Sequence, residues 1–326
     1  MATVQHDPTG VVAGRGAGKS ILDAIGRTPL IELERFSPND SVRIFAKLEG
    51  HNPAGSVKDR IAKYMIEAAE AAGHLTKDHI ILESTSGNTG IALAMIARRK
   101  GHRIKIVMPD NVSPERTQLL EVYGAEIVFT PGAKGSNGAI NAARQMALDD
   151  DCYFAPYQYG NPANPLAHYE TTGPEILNDL PHVDVFVAGL GTGGTLMGVG
   201  KRLREKNPEV KLIAAVPDIG DEIMGLRSID DGFVPPILDL SLLNGRMVTR
   251  TKEAFAMTRE LAEREGIFAG ISSGAAMLCA VRVAKRMKKG NIVVLMADGG
   301  WKYLSTRLWT HETAIVGDDL DKKVWW

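Results

Sequence analysis

One lysine and three glycine-containing loops hold the residues best suited to chemistry. Lys58 stands in NPAGSVKDR, where the pattern predicts the first turn of a helix. The positive end of a helix dipole disfavours an ammonium, which lowers the lysine pKa and makes the amine a better nucleophile. Taken alone, a solvated surface lysine also accounts for it. The loop GLGTGG (189–194) fits G-x-G-x-x-G between a strand and a helix. Backbone N–H groups at a helix N-terminus suit an anion, usually phosphate. A dinucleotide would also need an acid at the next strand end; Asp218 stands there, somewhat late. A tight strand-to-helix turn is the plainer alternative. The loop STSGNTG (84–90) carries hydroxyls and glycines without charge. It can offer donors to a carboxylate, or simply cap a helix. AGRGAGKS (13–20) is a near-miss to a P-loop, with Ala13 at the first glycine position and weak flanking elements. It reads as an N-terminal segment.

The elements that must position these loops alternate strand, loop, helix. RIFAKLE (43–49), HIILES (79–84), RIKIVMP (103–109) and AEIVFTP (125–131) predict strands. Helices are predicted over 56–72, 89–101, 113–124 and 136–149, the first capped by Ser56 with Asp59 three residues on. A loop-rich stretch, 157–174, holds GNPANP. The alternation then resumes with strands VDVFVAG (183–189), VKLIAAV (210–216) and NIVVLMADGG (291–300). The later helices are 196–206, 251–265 and 272–289, with an irregular 218–250 between the first two. Such alternation implies βαβ units and an α/β fold of two open, mainly parallel-sheet lobes. In such sheets ligands bind at the carboxyl ends of strands, which is where the loops and Lys58 stand.

Composition narrows the function further. The 326 residues carry 38 Lys+Arg against 39 Asp+Glu, a net charge of −1. That balance argues against nucleic-acid binding, which needs a basic surface, and gives no polybasic handle for a membrane. The apolar runs are strand-sized, short of the ~20 residues of a spanning helix. The start lacks a signal-peptide pattern. Cys152 and Cys279 form no metal spacing and read as structural thiols of a cytoplasmic protein. The eight histidines show no paired metal spacing.

An activated lysine, a phosphate loop and a carboxylate loop at strand ends are the parts that hold pyridoxal phosphate and an amino acid. The motifs GRTPLIEL, KLEGHNPAGSVKDR, ESTSGNTG, QYGNPANP, GLGTGGT and GIFAGISSGAA come in the order and spacing of one family. From about Ile25 to Tyr303 the sequence resembles the β-family (fold-type II, tryptophan-synthase-β-like) of pyridoxal-phosphate enzymes, and within it the cysteine synthases. The resemblance implies that Lys58 is the Schiff-base lysine and the proton carrier at Cα. It implies that Asn88 bonds the cofactor ring oxygen and that Gly191, Thr192, Gly193, Gly194 and Thr195 cradle its phosphate. Ser272 would face the pyridine nitrogen, and Thr85, Ser86, Gly87, Thr89 and Gln158 would take the substrate carboxylate. The implied reaction eliminates the β-substituent of an O-activated serine to give an aminoacrylate, then adds a sulfur nucleophile to give L-cysteine.

The segment EIMGLRSIDDGFVP (222–235) and GWKYLST (300–306) resemble the O-phosphoserine-using branch of cysteine synthases. There Arg227 would bind the substrate phosphate, for which the arginine fork is suited. The alternative partners for Arg227 are Asp221, Glu222, Asp230 and Asp231. The same resemblance implies a homodimer, with residues 1–51 packed on a large lobe (159–316) and a small mobile lobe (52–158). The tail, 317–326, would act as an active-site lid, and a small sulfur-carrier protein with a C-terminal thiocarboxylate would be a possible sulfur donor. An O-acetylserine sulfhydrylase, a cystathionine β-synthase-like or threonine deaminase-like enzyme, a non-catalytic binding protein of the same fold and an NAD-binding oxidoreductase are the competing readings.

Overall fold

The computed structural model describes residues 17–306 and Trp309, apart from Ser86, Glu222 and Asp231. Among the described residues, ten strands run in chain order as β1 (Leu30–Glu32), β2 (Val42–Leu48), β3 (Ile80–Ser84), β4 (Arg103–Pro109), β5 (Glu126–Thr130), β6 (Tyr153–Phe154), β7 (Val185–Gly189), β8 (Lys211–Pro217), β9 (Gly245–Thr249) and β10 (Gly290–Met296). They form two sheets. One has six strands in the order β1-β2-β10-β7-β8-β9, the other four in the order β5-β4-β3-β6. Among these ten strands the β1–β2 pair is antiparallel and the other ladders are parallel. The α/β, mainly parallel architecture expected from the alternation is present.

Nine α-helices accompany the strands among the described residues: α1 (Lys58–Ala71), α2 (Asn88–Lys100), α3 (Pro114–Val122), α4 (Gly135–Asp149), α5 (Ala163–Ala167), α6 (Gly173–Asp179), α7 (Gly194–Arg204), α8 (Thr251–Glu265) and α9 (Ile271–Ala284). Strands β7, β8 and β10 are near-continuous apolar runs because helices cover both faces of their sheet. Ile44, Val187 and Val294 face one side in a common cluster with α9, and Phe186, Leu212 and Val293 face the other with α7. Each such fully buried side chain contributes about 1.5–3 kcal/mol.

The structure corrects four expectations. The stretch 157–174 is not mainly loop: α5, a π-helical turn (His168–Thr172) and α6 run through it. Gly, Asn and Pro punctuate the segment, so no period shows. Packing of Ala163 and Ala167 against Ile61 and Met65 of α1 stabilises it instead. The irregular 218–250 contains β9, a short edge strand paired with β8. Helix α1 begins at Lys58, two residues later than expected, with Val57 at the cap position. The Ser56–Asp59 contact exists (3.3 Å), but Asp59 Oδ2 reaches further back, to the Ala54 N–H at 2.6 Å. Helix α9 stops at Ala284 rather than 289, because Lys285 and Arg286 are exposed and bury nothing.

A buried ion-pair network locks the start of α1 to the rest of the fold. Arg60 meets Glu49 through Nε (2.7 Å) and Nη2 (2.8 Å), and Glu175 through Nη1 and Nη2 (both 2.7 Å). Lys47 Nζ joins Glu175 at 2.8 Å. Burial alone would raise the Glu49 carboxyl, but Arg60 draws it down to about 2. Its contribution to stability is therefore present above the ordinary glutamate range and lost only as pH falls toward 2. Arg60→Met strands the fully buried Glu49 carboxylate and leaves Glu175 with Lys47 alone. The expected cost is about 3–5 kcal/mol, read as a lowered midpoint in urea unfolding; an unchanged midpoint would show that the network is energetically neutral.

Candidate functional site

A cavity opens between the carboxyl ends of the six-stranded sheet and the first turn of α1. Its wall includes Lys58, Gly191, Thr192, Gly193, Thr195 and Ser272. Residues from three separate sequence motifs therefore meet in one place. A larger, more open depression lies at the start of α8, but four of its charges pair with each other. Arg250 meets Asp218 at 3.0 Å and Arg282 meets Glu253 at 2.7 Å. Asp218 thus serves a surface ion pair and does not line the glycine-loop cavity, so the acid a dinucleotide would need is committed elsewhere. The near P-loop fares similarly in its described part. Ser20 and Asp23 form a reciprocal cap on a short 3-10 turn, Ile21–Ala24; residues 13–16 lie outside the described residues.

Lys58 is the first residue of α1. Burial lowers its pKa, with the Asp298 carboxylate opposing, so the amine lies closer to its neutral, nucleophilic form than a surface lysine does. The opposite wall is the loop into α7. Gly193 has φ +86, and Gly194 has no room for a side chain: a Cβ there would stand 1.9 Å from Asn164 Oδ1. This close packing fixes the loop, and Asn164 Nδ2 donates to Thr192 Oγ1 at 3.0 Å and to the Gln158 carbonyl at 2.9 Å. Thr195 Oγ1 contacts His168 Nε2 at 3.2 Å. Burial pushes His168 down to about 3, with Arg60 adding to the effect, so the imidazole is neutral at physiological pH. The α7 N-terminus carries backbone N–H groups and the Thr192 and Thr195 hydroxyls, an arrangement suited to an anion. Ser272, 6% exposed, stands in the first turn of α9.

The second loop begins at the end of β3 and runs into α2. Thr89 Oγ1 donates to Gln158 Oε1 at 2.8 Å, which joins this loop to the segment after β6. Thr85 Oγ1 accepts from the Gly87 N–H at 3.2 Å. A Cβ on Gly87 would meet nothing within 4 Å. Ser86 lies outside the described residues. Asn88 opens α2 beside the cavity rather than in its lining, bonded through Nδ2 to Asp298 Oδ2 at 2.7 Å.

Arg227 follows Gly225 and Leu226, both of which line the cavity. Its guanidinium lies 5.3 Å from the Tyr159 ring centre and 5.0 Å from that of Phe233, and Nη2 donates to Tyr159 Oη at 3.4 Å. Among the described residues no carboxylate forms an ion pair with it. Asp230 pairs with Arg246 at 3.3 Å and Asp221 receives the Thr251 N–H at 2.6 Å. Glu222 and Asp231 lie outside the described residues, as does the tail after Trp309.

Several residues that build this site had no role in the sequence reading. Asn164 lay unassigned inside QYGNPANP. Asp298 and Lys302 stood unnoticed in ADGGWKY. Glu83, just ahead of the second loop, is 7% exposed and hydrogen-bonded to Gln158. Burial raises it to about 8. A carboxyl whose pKa is raised by folding loses stabilisation as pH climbs from the ordinary glutamate range to that value. Glu83→Gln is therefore expected to melt close to the parent at pH 4.5 and higher by several °C, roughly, at pH 8. A gap independent of pH would contradict this.

The chemistry available is an amine nucleophile of lowered pKa that shares a cavity with the glycine loop at the start of a helix and with the Ser272 hydroxyl. Among the described residues no cluster of side chains could hold a metal ion, and no helix is long and apolar enough to cross a membrane. Cys152 and Cys279 are free thiols.

Comparison with known proteins agrees with this arrangement. The family model for "Pyridoxal-phosphate dependent enzyme" matches residues 21–298. The cysteine synthase of Staphylococcus aureus is 41% identical over 303 residues, covering 90% of this chain and 97% of that protein. The crystal structure of O-ureido-L-serine synthase superposes with a TM-score of 0.85 at 40% identity, covering 93% of this chain and 100% of that one. The cysteine synthase of Entamoeba histolytica does so with a TM-score of 0.86 at 34% identity, covering 98% of each chain. With Lys58, the α7 cradle and Ser272 brought to one cavity on this fold, the chain belongs to the pyridoxal-phosphate dependent enzymes, as a β-replacement enzyme of the cysteine synthase type.

Proposed function

We propose that the chain is a cysteine synthase that prefers O-phosphoserine, with Arg227 as the phosphate-binding residue. Arg227 carries this reading: a guanidinium beside the cavity, held by two aromatic faces and free of any described carboxylate. Aromatic faces retain a cation without neutralising it, and an arginine N–H fork suits an anionic leaving group.

The residues present fit pyridoxal phosphate. The α7 cradle is kept open by glycines whose side-chain space is already filled by Asn164 and Leu238, and Lys58 faces it across the cavity. Lys58 would hold the cofactor through Nζ, residues 191–195 would bind its phosphate, and the Asn88 amide would bond its ring oxygen. Bound there, the cofactor supplies an electron sink for the pair left when a Cα–H bond breaks. The Lys58 amine would take the proton from the substrate Cα, a role its burial favours. Thr85, Ser86, Gly87, Thr89 and Gln158 would bind the substrate carboxylate, the open space at Gly87 leaving room for it. Ser272, a neutral hydroxyl, would face the pyridine nitrogen without protonating it. That limits carbanion build-up and suits elimination over transamination. Arg227 would draw the departing phosphate away from Cβ, and a sulfur nucleophile would then add there.

The resemblance further supports a homodimer, with residues 52–158 closing over substrate; the Thr89–Gln158 bond is the contact such closure would preserve. Sedimentation equilibrium giving a monomer would remove that assembly. A thiocarboxylated sulfur-carrier protein is the proposed macromolecular donor, and residues 317–326 are the proposed lid; both rest on the resemblance to the O-phosphoserine branch. An O-acetylserine or cystathionine β-synthase-like activity is the second reading, favoured by similarity to the O-acetylserine dependent cystathionine β-synthase of Helicobacter pylori, at 35% identity and a TM-score of 0.82. Steady-state kcat/KM for O-phosphoserine and O-acetylserine with sulfide separates the two. A preference for O-phosphoserine is expected; a preference for O-acetylserine would favour the second reading.

A further inference from the structure

Asn88 sits between two buried charges of opposite sign. Its Nδ2 donates to Asp298 Oδ2 at 2.7 Å, and its Oδ1 accepts from Lys302 Nζ at 2.6 Å. Asp298 is 2% exposed and Lys302 1%. A carboxylate only accepts and an ammonium only donates. The amide therefore has one allowed orientation: reversing it would set oxygen against oxygen and NH2 against ammonium. A pair of neutral hydroxyls would not impose this, because each could rotate to serve either end.

The clamp is itself held in place. Lys302 Nζ also donates to the Gly55 carbonyl at 3.2 Å, three residues before Lys58. Tyr303 Oη donates to Asp298 Oδ2 at 2.8 Å. The Arg116 guanidinium lies 5.4 Å from the centre of the Tyr303 ring. Backbone bonds tie the same two segments together, with the Val57 N–H donating to the Ala297 carbonyl at 2.8 Å. Burial lowers Lys302 to about 8, against the pull of Asp298 and Asp59, so it stays an ammonium at neutral pH. After both partners are counted, the Asn88 amide retains one N–H.

We propose that Lys302 and Asp298 are positioning residues that fix the Asn88 carboxamide so that its remaining N–H is the donor offered to the ring oxygen of pyridoxal phosphate. This rests on the reading of Asn88 as a cofactor-binding residue. Lys302 Nζ is engaged by Asn88 Oδ1 and the Gly55 carbonyl, so it acts through Asn88.

A double-variant cycle on the full-length protein tests it, reading cofactor affinity from the visible band during titration with pyridoxal phosphate. Asn88→Ala and Lys302→Met are each expected to weaken binding on the order of tenfold, the worth of one hydrogen bond to a charged group. The double variant is expected to bind within about twofold of Asn88→Ala alone, because Lys302 then has nothing to orient. The holoenzyme of Lys302→Met should also show a displaced visible maximum, which a purely structural role would not produce. Losses that multiply in the double variant, or unchanged affinity and maximum in Lys302→Met, would overturn the proposal while leaving the role of Asn88 standing. Unchanged binding in Asn88→Ala would instead overturn the reading of Asn88 itself. If Lys302→Met does not fold, Lys302→Gln takes its place in the cycle; failure of both to fold would make Lys302 a stability residue and overturn the positioning role.

Discussion

Replacing Lys58 by alanine is expected to lower the rate of β-replacement on the order of 10³-fold or more, while the protein still folds. The lysine is the amine that would both hold the cofactor and carry the Cα proton, so two functions disappear with one side chain. Folding should survive because the helix start is secured by neighbours. Asp59 holds the Ala54 N–H, Arg60 bridges Glu49 and Glu175, and alanine is a good helix former. Circular dichroism and turnover of the activated serine with sulfide check the two halves together. A folded Lys58→Ala that keeps activity within tenfold of the parent would remove Lys58 from the chemistry.

Arg227→Ala is expected to reduce kcat/KM for O-phosphoserine by about 1.5–3 kcal/mol, on the order of 10–100-fold, with O-acetylserine turnover nearly unchanged. The asymmetry follows from charge. The fork would meet a phosphate dianion in one substrate and a neutral acetyl group in the other. Arg227→Lys should recover only part of the loss, because a point charge replaces a bidentate donor. Stability should fall little, since the residue is half-exposed and its contacts to Tyr159 and Phe233 are cation–π contacts worth roughly 0.5–1 kcal/mol. Equal losses on both substrates would instead make Arg227 a support for the loop that carries Gly225 and Leu226.

The positions of these residues were legible to differing degrees. Lys58, GLGTGG and STSGNTG lie at junctions between an apolar strand and a helix, and both periods are local properties of sequence. Thr89 and Gln158, which the resemblance assigns together to the substrate carboxylate, share a hydrogen bond at 2.8 Å. What escaped was long-range. Lys302 and Asp298 act on Asn88 from more than 200 residues away, and neither residue type nor spacing marks them within ADGGWKY. Arg60 looks like any helix arginine until Glu49 and Glu175 are seen around it. Helices α5 and α6 were hidden because GNPANP and Gly173-Pro174 carry turn chemistry that tertiary packing overrides. Strand β9 was missed because five residues at a sheet edge give too short an alternation.

In the proposed site the Lys58 amine and the phosphate cradle share one cavity, with Arg227 beside it for an anionic leaving group. The most direct test mixes the holoenzyme with O-phosphoserine in the absence of any sulfur nucleophile, following the visible band and released phosphate together. A shift of the band to longer wavelength and one phosphate released per site are expected. A band that shifts only with O-acetylserine, or phosphate that stays bound to serine, would contradict this.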